Sequence, residues 1–138
     1  MVKLPLYLKW QAPLVLMSAE FQHNICYFHG ASGTGKTFAF KLLSAYFQHQ
    51  GIPQVYLNYT VKGCSLDTLL QLCDGKEVVL LDNADLYLTK EMLYQLKDRV
   101  PLILVSQHTI FARSNKAIEG NYALKYDGTQ LEIKPKRG

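Results

Sequence analysis

A chain of 138 residues, 49% hydrophobic and 19% charged, has the apolar content of one folded domain and too much of it for a disordered segment. Its formal net charge of +4 is uneven: Lys134, Lys136 and Arg137 lie in the last five residues, and without them 12 basic residues face 11 acidic ones. A near-neutral body argues against a broad nucleic-acid-binding face, although a basic tail can still touch phosphate.

The first 22 residues read as an N-terminal extension of uncertain structure. Residues 4–9 suit an edge strand and residues 14–21 suit either a strand or a helix; Lys9, Trp10 and Gln11 interrupt the apolar run, leaving segments too short for a membrane span or a signal-peptide core. Residues 25–29 (ICYFH) read as a first buried strand ending at Gly30. A glycine-rich turn follows, then a helix over residues 35–50 that is apolar on most sides and is ended by Gly51 and Pro53. A second strand is predicted at 54–59 (QVYLNY), a short helix capped by Ser65 and closed at Gly75, and a third strand at 77–82 (EVVLLD). The Met92, Leu93, Leu96 stripe predicts a helix over 89–99, and residues 101–106 (PLILVS) a fourth buried strand. Residues 122–126 and 129–134 flank Asp127-Gly128, a two-residue hairpin signal, before the basic tail. Short β-runs alternating with amphipathic stretches predict an α/β domain spanning residues 1–138, with a mostly parallel sheet and a C-terminal β-hairpin at 121–138. Cys26, Cys64 and Cys73 form an odd set without a CxxC pair, which disfavours both a disulfide framework and structural zinc and suits a cytoplasmic protein.

The sharpest motif is Gly30-Ala31-Ser32-Gly33-Thr34-Gly35-Lys36-Thr37, which fits G-x-x-x-x-G-K-[ST] at every fixed position. Glycines allow successive backbone N–H groups to turn inward around phosphates. Lys36 then reaches the terminal phosphates, the Thr37 hydroxyl binds Mg²⁺, and the following helix adds its positive end. A dinucleotide G-x-G-x-x-G motif fails, because its third glycine would fall at Phe38. Such a loop needs a carboxylate at the end of a neighbouring parallel strand to hold hydrated Mg²⁺, and Asp82 after VVLL supplies one.

On these residues the stretch from about residue 25 to residue 106 resembles the P-loop NTPases, and more narrowly the AAA+ ATPases. GASGTGKT is similar to their Walker A motif and VVLLDNAD to their Walker B motif. The resemblance implies a three-layer αβα core without a lid domain in so short a chain. It further implies Mg-ATP binding, and often hydrolysis coupled to movement of a protein partner or to self-association. It also makes Ser106 or Gln107, at the end of the fourth strand, similar to the polar residue that watches the terminal phosphate.

The pattern breaks after Asp82. Many of these ATPases carry Glu next, to take a proton from the attacking water; here Asn83 stands there, and an amide orients water without deprotonating it. Asp85 is the nearest other carboxylate, with a cap before the next helix as its competing role. Arginine is scarce: Arg113 could serve a neighbouring subunit or be a plain surface residue, and the scarcity disfavours a small-molecule kinase. A guanine-reading N-K-x-D begins at Asn115-Lys116 but ends in Ile118, so ATP is favoured over GTP. Tyr56 and Tyr59 suit strand packing better than base stacking, so nucleic acid is only weakly supported as a partner. The expectation is a minimal ATP-binding module whose hydrolysis is slow or partner-stimulated. A non-hydrolysing nucleotide switch and a small kinase are the alternatives.

Overall fold

Strand β1 (Leu6–Gln11) and strand β2 (Leu16–Phe21) precede β3 (Ile25–His29), which leads to helix α1 (Lys36–His49) and β4 (Gln54–Leu57). Helix α2 (Leu66–Leu72) and β5 (Val78–Leu81) follow, then a 3-10 turn at Ala84–Leu86, α3 (Lys90–Leu96), β6 (Leu102–Gln107), β7 (Glu119–Tyr126) and β8 (Gln130–Pro135). The structure is a computed structural model that describes residues 2–29, 35–58, 60, 65–107 and 117–136.

The eight strands form one sheet in the order β1-β2-β8-β7-β3-β6-β5-β4. β4, β5, β6, β3 and β7 run parallel, whereas β1–β2 and β7–β8 are antiparallel ribbons joined by a parallel β2–β8 pair. The central strands are covered on both sides, which is why Val78–Leu81 and Leu102–Val105 are unbroken apolar runs. Cys26, Phe28, Leu80 and Leu104 pack with Ala39, Phe40, Leu43 and Phe47 of α1. Their alternates Tyr27, Val79, Leu81 and Ile103 pack with Leu69 of α2 and Leu93 and Leu96 of α3. Met17, Phe21, Leu131 and Ile133 join the α1 cluster as well, so the sheet curls around that helix. Trp10 of β1 completes the wrap, its ring 5.6 Å from that of Tyr46 on α1.

The N-terminal segment is two strands of the main sheet: β1 lies at its edge, as residues 4–9 suggest, and the stretch 14–21, open between strand and helix on its sequence, holds β2. Residues 16–21 alternate half-buried and buried positions as a strand does. The hairpin strand read at 122–126 begins earlier, at Glu119, because residues 119–121 pair with β3. α3 stops at Leu96 rather than Arg99; Arg99 and Val100 both donate to the Leu96 carbonyl, tightening the chain into the turn before β6. Cys26 and Cys73 are buried in the two clusters, and Cys64 lies outside the described residues. Among the described residues no helix is long and apolar enough to cross a membrane.

Candidate functional site

The carboxyl ends of β3, β5 and β6 meet the start of α1. Gly35 is the N-cap of α1 at φ 90°, with no side-chain cap, and the first turn holds no acidic residue. The other two helices differ: Ser65 caps α2 and Thr89 caps α3, with Asp67 and Glu91 in their first turns. The start of α1 thus keeps its positive end uncompensated by carboxylates of its own first turn.

Lys36 and Thr37 open the helix. The Thr37 hydroxyl donates to Asp82 Oδ2 at 2.8 Å, and the Tyr56 hydroxyl donates to the same oxygen at 2.6 Å. Asp82 is 1% exposed, and its Oδ1, fully buried, has no hydrogen-bond partner among the described residues. A buried carboxylate in that state is an unfinished site, since a buried polar atom left without a hydrogen bond is costly. Its backbone is held on both sides, with its N–H donating to the Leu57 carbonyl at 2.8 Å and Tyr87 OH donating to its own carbonyl at 2.6 Å. Burial lowers the pKa of Lys36, opposed by the negative charges of Asp82 and Asp85. Burial likewise raises that of Tyr56, helped by its bond to Asp82.

The remaining residues named from the sequence fall around this point. Ser106 is wholly buried, and its hydroxyl has no partner among the described residues. It pairs in register with Phe28 and so faces α1, like Asp82. Gln107 is wholly buried too, on the opposite face, with both amide atoms unpartnered among the described residues. Asn83 adopts a left-handed conformation at φ 51° and starts the 3-10 turn that carries Asp85. Gly30, Ala31, Ser32, Gly33, Thr34, Tyr59 and Arg113 lie outside the described residues. Arg99 is exposed between α3 and β6, before the N-terminal end of β6 and hence away from this site.

No group of three or more His, Cys, Asp or Glu residues that could hold a metal occurs among the described residues. A divalent cation here would therefore have Thr37 and Asp82 as protein ligands, the rest coming from water and from ligand oxygens. That donor set, few and all oxygen, is of the kind that suits Mg²⁺, and Asp82 Oδ1, without a partner among the described residues, is the atom that would face such a cation.

Sequence reasoning missed two things. On its sequence Tyr56 suits strand packing, yet it shares Asp82 with Thr37. Glu119, wholly buried, accepts from Tyr27 OH and Lys90 Nζ at 2.5 Å each and from Tyr94 OH at 2.6 Å. Lys90 sits 5.1 Å from both tyrosine ring centroids. This second network clamps α3 to β3 and β7; its members are too far apart along the chain to form a motif.

No protein-family model matches the chain, and no curated protein matches it either. Solved structures similar to it include the crystal structure of a DNA replication initiation factor, at 18% identity over 63% of this chain and 32% of that one, with a TM-score of 0.47. Another is AMPPCP-bound DnaA from Aquifex aeolicus, at 17% identity, the same coverage and a TM-score of 0.46. The chain spans about a third of the length of each.

Proposed function

We propose that this chain is a minimal P-loop module that binds ATP with Mg²⁺ and hydrolyses it slowly or under the stimulus of a protein partner or a second copy. The observation that carries the reading is the Thr37–Asp82 hydrogen bond, at the carboxylate-free start of α1, with one buried Asp82 oxygen unpartnered among the described residues. In this reading the backbone N–H groups of residues 30–37 cradle the phosphates and Lys36 adds a point charge. Thr37 and Asp82 hold the cation, which when bound neutralises phosphate charge and polarises the terminal phosphoryl group. Ser106 and Asn83 orient water. Neither can take its proton, so turnover by the chain alone is slow.

The experiment is nucleotide titration with and without Mg²⁺, followed by single-turnover phosphate release. Wild type should bind ATP more tightly with Mg²⁺ than without, and Lys36→Ala should lose binding. Asp82→Asn should fold at least as stably, because a poorly satisfied buried charge is removed. It should nevertheless lose the Mg²⁺ dependence. If Mg²⁺ makes no difference in wild type, the metal assignment is wrong. Tight binding without phosphate release at any protein concentration would favour a non-hydrolysing switch, the reading to which Asn83 points.

A further inference from the structure

β3 and β7 pair only as far as Tyr27 and Asn121. Beyond that point β3 continues along β6, with Phe28 beside Ser106 and His29 beside Gln107, while β7 continues along β8. The fork leaves a cleft of about 190 Å³ beside the start of α1. Its floor is apolar, made by Phe28, Tyr122 and Leu124, and three basic side chains line it: His29, Lys36 and Lys136. No carboxylate lines it among the described residues. Lys136 is held in place just past the end of β8, its backbone N–H donating to the Asn121 carbonyl at 2.8 Å.

Three basic groups converging on one cavity repel each other, and the consequence shows at His29. Burial lowers its pKa first, and the nearby Lys136 and Lys36 ammonium groups lower it further. Its Nδ1 is buried without a hydrogen-bond partner among the described residues. An oxyanion in the cleft turns both penalties into gains: it sits between two ammonium groups and gives the imidazole something to donate to. The volume selects the size of the anion. Sites for whole drug-sized ligands occupy about 300–1,000 Å³; this one admits a phosphate group and leaves the rest of a nucleotide outside.

We propose that the cleft is a phosphate oxyanion site in which Lys136 and His29 join Lys36 as ligands, Lys136 supplying a second cation from the chain's own C-terminal segment. The oxyanion's identity as the terminal phosphate of ATP rests on the function proposed above; the existence of the site does not. With that carrier, the chain itself provides a charge that its scarcity of arginine would otherwise leave to a partner.

The test uses the full chain, with calorimetric titration by inorganic pyrophosphate, ADP and ATP, and NMR of the His29 imidazole. Lys136→Gln is the probe. Lys134→Gln, two residues earlier, also exposed, 3.6 Å from Glu132 and not among the residues lining the cleft, is the control. Pyrophosphate should shift the His29 resonances. Lys136→Gln should weaken pyrophosphate and ATP about tenfold or more, and ADP less, while Lys134→Gln behaves as wild type. Equal effects of the two substitutions, or an unmoved His29, would overturn the site. If ATP binding is lost in Lys36→Ala yet untouched in Lys136→Gln, the nucleotide reading stands and the cleft assignment falls. If ATP fails to bind wild type while pyrophosphate binds in a Lys136-dependent way, the cleft stands and the nucleotide reading falls.

Discussion

Asp82 receives two hydrogen bonds on one oxygen and none, among the described residues, on the other, so each donor it has matters. Tyr56→Phe keeps the ring and deletes one of them. Hydrogen bonds to charged groups are worth about 1.5–3 kcal/mol, and chemical denaturation without nucleotide should show a loss at the lower end of that range. Saturating Mg-ATP should restore part of it if a cation takes over the role of the lost donor at Asp82; a loss that ligand leaves unchanged would mean that the Tyr56 hydroxyl serves the fold alone and not the cation site. Gly35 has a different reason to be what it is. A Cβ there would meet Leu124 and Tyr126 no closer than 3.8 Å, so space is available, but φ is 90°. Gly35→Ala should therefore lose about 1–2 kcal/mol from backbone strain alone, read as a lowered denaturation midpoint with an unchanged slope. At this scale the sequence displayed Lys36, Thr37 and Asp82, because the chemistry of a phosphate loop fixes residue types at fixed spacing. It could not display Tyr56, which reaches Asp82 only through the side-by-side pairing of β4 and β5.

The elements were legible where both faces of a strand are buried or where a helix carries its own punctuation. Val78–Leu81 and Leu102–Val105 read as strands because unbroken apolar runs of that length suit only a covered sheet. Helix α2 announced itself by Ser65, which accepts from the Thr68 N–H at 3.2 Å. Ser65→Ala should lower stability by about 1 kcal/mol, checked by thermal or denaturant unfolding. Because α2 lies away from the start of α1, nucleotide affinity should be unchanged; a large change in affinity would show that α2 takes part in the site. The β2–β8 pairing was not legible. Leu16 lies beside Gln130 and Ala19 beside Ile133, a contact between the two ends of the chain that no local periodicity encodes. Nor was the early start of β7, where Glu119 is surrounded by Lys90, Tyr27 and Tyr94. A carboxylate in a strand is normally a sign of an exposed face, and here tertiary partners reverse that rule.

Across the whole molecule the two clusters around the sheet bury groups that ionise only at high pH. Burial and the Glu119 charge raise the Tyr27 phenol above its ordinary value, burial above all raises that of Tyr122, and burial with the bond to Asp82 raises Tyr56. Burial pushes the Cys26 thiol up to about 12. Below about pH 8 all four groups are protonated whether the chain is folded or not, and they contribute nothing to the pH dependence of stability. As pH rises past the ordinary thiol value near 8.5, and then past the phenol value near 10, the unfolded chain loses these protons while the folded chain keeps them. Unfolding then releases protons, so stability must fall with rising pH, the more steeply once the phenols join the thiol. Tyr56→Phe removes one releasing group and should reduce the proton release measured above pH 10 by about one, a readout distinct from its effect at neutral pH. Trp10, lodged against Tyr46 and His49, reports whether β1 leaves with the rest. Because β1 and β2 share the α1 cluster with the central strands, tryptophan fluorescence and far-ultraviolet circular dichroism should lose their signals at one alkaline midpoint. An earlier fluorescence transition would show that the N-terminal ribbon is a separate, weaker unit laid over α1 rather than part of its core.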